Sequence, residues 1–181
     1  MIPEALDDWW VADHYKNPTW DLIAVCERDT QRGLLLVEAK AHESELDWKG
    51  KRALSANADS AQAWVNDARI RAAIAEAQDW FGQVAGPTTL TADSHYQLAN
   101  RLASAYKVAS AGVPVVLLYL GFTGDTYFTD HLRDATQWQQ LMRSYLQGVV
   151  PSDLPGRVLP HASGGSLTFL VGALPVKGVS H

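Results

Sequence analysis

The chain has 181 residues, 47% apolar and 19% charged, with 15 Lys plus Arg against 20 Asp plus Glu for a formal charge of −5. That composition is globular rather than disordered or fibrous, and the length suits a single domain over residues 1–181 with its own core. A lone cysteine, Cys26, excludes a disulfide scaffold and a multi-cysteine zinc site. The N-terminus is acidic and has no apolar h-region, so no signal peptide is read. The longest apolar run, Val113 to Leu120, contains a proline and is too short to span a bilayer. A soluble, cytoplasmic protein with no membrane partner is expected.

Residues 1–39 carry 3 basic and 8 acidic side chains, whereas the rest of the chain is balanced, so the whole net charge comes from this first stretch. Such acids either complement the positive end of a first helix or belong to a cation site. The balance is not that of a basic domain attracting nucleic acid non-specifically.

In chain order, Pro3 to Tyr15 predicts a helix, broken at Asn17-Pro18. Trp20 to Glu27 and Gly33 to Ala41 predict two strands joined by the polar stretch 28–32 as a hairpin. Leu34-Leu35-Leu36-Val37 is apolar at every position, which marks a central strand. Residues 42–59 are polar and irregular. An alanine-rich helix is expected from Ser60 to Phe81, closed by Gly82, and a second from an N-cap at Asp93 or Ser94 to Ala111. Then come a buried strand over Val113–Leu120, a helix from Asp130 to Gln147, a loop from Pro151 to Gly165 and a last strand over Leu167–Val176. Helices alternating with buried strands predict an α/β sandwich.

Chemistry concentrates at Glu38-Ala39-Lys40. Residues two apart in a strand share a face, so Glu38 and Lys40 project together from the end of an apolar strand. Such charges are costly there unless paired or used. Asp21 stands at the start of the preceding strand, about as far before the turn as Glu38 and Lys40 stand after it. Opposed residues of an antiparallel pair have a constant index sum: 59 sets Asp21 opposite Glu38, and 61 sets it opposite Lys40. Either register puts all three on one face, whereas an even sum would turn Asp21 away unless a bulge, with Gly33 as candidate, restored it. Two oxygen-donor carboxylates at that distance suit a hard cation such as Mg²⁺ (or Mn²⁺), and a lysine beside them can orient or deprotonate an attacking water. The bland alternative is a structural Lys40 ion pair with Asp21 or Glu38.

Pro18-Thr19-Trp20-Asp21, sixteen residues, then Glu38-Ala39-Lys40 on an apolar strand resembles the PD-(D/E)XK nuclease superfamily over residues 1–122. The resemblance implies a restriction-endonuclease-like α/β/α sandwich with a central mixed sheet, here carrying a helical insertion over residues 42–92. It implies that Asp21, Glu38 and the Ala39 carbonyl hold the divalent metal and that Lys40 acts on the attacking water. It also implies an acid from the first helix, for which Glu4 and Asp8 are candidates, and a polar residue from a later helix, where Gln97 fits and Arg101 follows one turn on. In that superfamily a further strand precedes the one bearing the aspartate, and residues 167–176 are the candidate to supply it. The expected partner is nucleic acid, DNA in the first instance, with a homodimer as one permitted assembly.

Other features carry less. The six histidines show no zinc-helix spacing and most are expected to be solvated, with His42 set apart because it shares the Lys40 face if the strand continues. There is no phosphate-loop or nucleophile-elbow motif. Cys26 reads as a core residue, as do Trp9, Trp10, Trp20 and Trp138. Trp48 beside Lys49, Lys51 and Arg52 reads as a surface loop or as a platform that stacks on a base. The expected function is a metal-dependent nuclease hydrolysing phosphodiester bonds. Two rivals stand beside it, a non-catalytic nucleic-acid-binding or interaction module on the same fold, and an unrelated α/β domain with a structural Asp/Glu/Lys cluster.

Overall fold

In the computed structural model the described residues are 9–10, 18–28, 30–56, 59–127 and 129–176. The expected first helix lies outside them apart from Trp9 and Trp10, as do Glu4 and Asp8. Strand β1 (Leu22–Arg28) pairs antiparallel with β2 (Gln31–Lys40), Leu22 facing Val37 and Arg28 facing Gln31. The index sum is 59, the register that opposes Asp21 to Glu38, and it is reached without a bulge. Gly33 instead sits where β3 crosses: a Cβ there would stand 2.6 Å from the Pro114 carbonyl oxygen.

Strand β3 (Pro114–Thr123) runs parallel to β2, and β5 (Ser166–Pro175) runs parallel to β3, giving a mixed sheet of order β1-β2-β3-β5-β4. The short β4 (Val158–Pro160) forms inside the expected 151–165 loop and closes the far edge. The strand near residues 167–176 therefore lies on the β3 side and does not supply a neighbour for β1. Both faces of β1 are open to solvent, with Leu22 52%, Ile23 39% and Val25 66% exposed. Cys26, expected in the core, is exposed because it belongs to this peripheral strand.

Helix α1 (Ala61–Val84) starts at Ser60, whose side chain accepts from the Ala63 amide, and continues two residues beyond Gly82. Gly82 has no side chain to lose and open space around it, so it does not stop the helix. Ile70, Ala73, Ile74, Ala77 and Phe81 form its buried stripe. That stripe packs on α2 (Tyr96–Ser110), which is buried on nearly every side between α1 and the sheet. The residue capping α2 is His95 rather than Asp93 or Ser94: Asp93 is held by Arg71 at 2.8 Å, and Ser94 bridges Lys49. Helix α3 (Ala135–Leu146) begins at Asp134, whose Oδ1 accepts from the Gln137 amide, and not at Asp130.

Side-chain alternation fixes the layers. Glu38 meets α2 through Arg101, and Lys40 on the same face is in register with Gly121, against whose Cβ position the Trp138 ring of α3 is pressed. Helices α2 and α3 thus cover the same face, and α1 packs outside α2. Val115, Leu117, Tyr119, Leu167 and Phe169 on this face are buried, while Val116, Leu118 and Leu170 on the other are only partly covered. Among the described residues the expected α/β/α sandwich is therefore an α/β arrangement with all three helices on one side. No described helix is long and apolar enough to cross a membrane.

Candidate active site at the end of the second strand

Glu38 and Lys40 are 3% and 5% exposed, at the end of a strand whose preceding residues are core. Burial of that order demands that every charge be answered. Lys40 Nζ donates to Glu38 Oε1 at 2.7 Å, Gln97 Nε2 donates to the same oxygen at 2.9 Å, and Arg101 Nε donates to Oε2 at 2.5 Å. Gln97 and Arg101 lie four residues apart on α2, so one helical face delivers both to the carboxylate. The Arg101 guanidinium is in turn seated 4.8 Å from the centre of the Trp20 ring.

Asp21 stands one residue beyond the β1 ladder. Its amide donates to the Val37 carbonyl at 3.2 Å, and its Oδ2 accepts from the Ala39 amide at 2.7 Å. Alternation from Ile23 puts Asp21 on the Glu38 face, and the carboxylate takes the place of the next ladder carbonyl. In an extended strand the N–H and C=O of one residue point to the same edge. The Ala39 carbonyl is consequently directed toward the Asp21 side, past the last paired residue of β1. Asp21, Glu38, Ala39, Lys40, Gln97 and Arg101 thus converge at one end of the sheet.

Among the described residues no group of three or more His, Cys, Asp or Glu side chains is placed to hold a metal ion. A divalent cation here would rely on the Asp21 and Glu38 carboxylates and the Ala39 carbonyl, with water and substrate oxygens completing its shell, which is the habit of Mg²⁺. One orphan group fits that reading. Gln97 Oε1 is buried and has no hydrogen-bond partner, although its Nε2 is committed to Glu38. The donor set is hard oxygen throughout; Glu38 Oε1 already accepts two hydrogen bonds, so Oε2, which accepts only from Arg101, is the Glu38 oxygen with a lone pair left for the ion. Lys40 and Arg101 balance the two carboxylates.

His95 is an exception to the expectation that most of the histidines are solvated. Both ring nitrogens are buried without partners, and the ring packs 5.3 Å from Trp48 and 5.1 Å from Tyr145. Burial pushes its pKa below the ordinary histidine value, against an opposite pull from Asp47. Its φ of 48° is the one left-handed value among the described non-glycine residues. Strain of that kind gathers at functional sites, yet nothing in the local sequence announces it. Tyr119, in register with Glu38, was also passed over as strand core. Its hydroxyl is buried and unpartnered, and burial, with Tyr145 and Glu38 nearby, holds it well above the ordinary tyrosine value.

His42 does not extend the Lys40 face, because β2 ends at Lys40. A 3-10 turn over Glu43–Glu45 follows, and His42 Nδ1 lies 2.8 Å from Ser44 Oγ, which donates to Asp130 at 2.7 Å. Trp48 lies in a loop as expected and is 47% exposed. Its neighbours are committed: Lys51 to Asp67 at 2.7 Å, and Arg52 to Asp59, whose pKa the guanidinium lowers to about 2. Trp10 and Trp138 are core residues, 2% and 0% exposed. No protein-family model, no curated protein and no solved structure matches the chain.

Proposed function

We propose that the protein is a nuclease that hydrolyses phosphodiester bonds of nucleic acid with the help of Mg²⁺ or Mn²⁺, on a restriction-endonuclease-like core made of β1, β2, α2 and β3. The observation that carries this reading is the meeting of Asp21, Glu38, Lys40, Gln97 and Arg101 at the C-terminal end of β2. The ion would be held by Asp21, Glu38 and the Ala39 carbonyl, where it would supply positive charge to the phosphate oxygens. Lys40 Nζ, fixed by Glu38, orients the attacking water and handles its proton. Gln97 and Arg101 hold the Glu38 carboxylate in one orientation, so its lone pairs are aimed before substrate arrives.

One observation favours a second reading. Both Glu38 oxygens are already satisfied by donors, as in a purely structural ion-pair network. A single variant separates the two. Wild type should cut some member of a panel of single- and double-stranded DNA and RNA in Mg²⁺ or Mn²⁺, and Lys40→Ala should cut it about a hundredfold more slowly or worse. A wild type inactive on the whole panel, with Lys40→Ala strongly destabilised in thermal melts, would establish the structural network instead.

A further inference from the structure

Gln97 and Arg101 do more than hold Glu38. Both also line a cleft of ≈ 570 Å³ between α1, α2 and the 47–54 loop, so these two side chains stand between the cleft and the buried Glu38 carboxylate. The loop is fixed across its mouth by backbone bonds: Tyr96 N–H to the Lys49 carbonyl at 3.0 Å, and Lys51 N–H to the Ala92 carbonyl at 2.7 Å. A volume of this order suits one small organic ligand. Its lining divides by chemistry. Tyr96 and Ile70 offer aromatic and apolar surface, Asn66 and Asn100 carry amides, and Lys51, Arg52 and Arg101, paired with Asp67, Asp59 and Glu38, stand as cations that an incoming phosphate would share, opposite one lining carboxylate, Asp47. The buried Gln97 Oε1, an acceptor without a donor, belongs to the same wall.

We propose that this cleft is a nucleotide subsite: it takes one unstacked nucleotide of a single strand, base against Tyr96 and the amides, phosphate at Arg101 beside Glu38. The inference rests on the nuclease reading and narrows its substrate. An aromatic face accepts any base, amides read a base edge with donors and acceptors alike, and cations track the backbone. A base inside a duplex would first have to leave its stack to enter. Single strands, free ends and unpaired loops are therefore the substrates, and intact duplex is not.

Binding tests this apart from cleavage. Anisotropy titrations in EDTA with a short labelled single-stranded DNA, and with the same sequence as a blunt duplex, should show the single strand binding about tenfold or more tighter, the scale of one stacked base. Ala63 lines the cleft from α1, so Ala63→Phe should fill it and lower single-strand affinity about tenfold with duplex binding unchanged. Tyr96→Leu, which keeps apolar bulk and removes the ring, should act in the same direction if the first variant folds poorly. Equal affinity for the two forms, or wild-type affinity in both variants, overturns the subsite. A wild type that binds single strands through the cleft and cuts none overturns the nuclease reading and leaves the subsite standing.

Discussion

At the scale of single residues, the site is a balance of charges that burial makes strict. Glu38 is answered by two cations and an amide, and it is hard to remove any one without stranding another. His95 is the opposite case, a titratable ring buried with no partner. The folded state favours its neutral form, so its pKa lies below the unfolded value of about 6.5. A base lowered on folding contributes stability that is complete above the unfolded pKa and is lost as pH falls below it, because the unfolded chain then binds the extra proton. Asn tolerates the left-handed backbone at this position and does not titrate. Melting temperatures of wild type should consequently fall more steeply between about pH 7 and pH 5 than those of His95→Asn; parallel slopes would show that His95 does not couple to folding. Asp21, Glu38 and Lys40 were legible because strand alternation and a hairpin index sum are local properties. The state of His95 was not legible, because Trp48 and Tyr145 reach its ring from a distant loop and helix.

At the scale of elements, the strands and helices were readable in kind, and the misplacements lie at their ends. Helix α2 begins two residues late because Asp93, a good cap by composition, is drawn away by Arg71. The seating of α3 depends on one residue that composition does not single out. Gly121 lies under the Trp138 ring, and a Cβ there would come within 2.6 Å of it. Trp138 is fully buried, and side chains in a close-packed interior have little room to move. Gly121→Ala should accordingly destabilise the fold by about 1–3 kcal/mol, the usual cost of overpacking a dense core. Urea denaturation reads that directly, and an unchanged midpoint would mean that α3 shifts freely over the sheet. Lys40 is the register partner of Gly121, so a displaced α3 would also be felt at the Asp21–Glu38–Lys40 cluster.

At the scale of the whole molecule, the α/β class followed from the alternation of elements, but the layering did not. Strand β3 is apolar at nearly every position, a pattern that signals helices on both faces. Among the described residues the helices lie on one, and no periodicity within β3 separates the two outcomes. Charge shows a similar split between global and local. The chain carries −5 overall, yet Lys51, Arg52 and Arg101 all face the cleft. A nucleic-acid protein that works through a broad basic surface loses affinity steeply with salt, because each neutralised phosphate releases counterions. In the proposed subsite three cations would meet the strand, each of them paired in the free protein with a carboxylate: Lys51 with Asp67, Arg52 with Asp59 and Arg101 with Glu38. The affinity for a short single strand should therefore fall with salt at a slope of log K against log salt of about −2, as three contacts imply for single strands. Titrations of the same oligonucleotide across a series of NaCl concentrations measure it. Arg52→Ala should flatten the slope by one contact or more, because its partner Asp59 is then left unpaired and repels the strand most strongly at low salt. A wild-type slope of about −5 or steeper would place the strand on a wide basic surface elsewhere on the molecule, not in the cleft between α1 and α2.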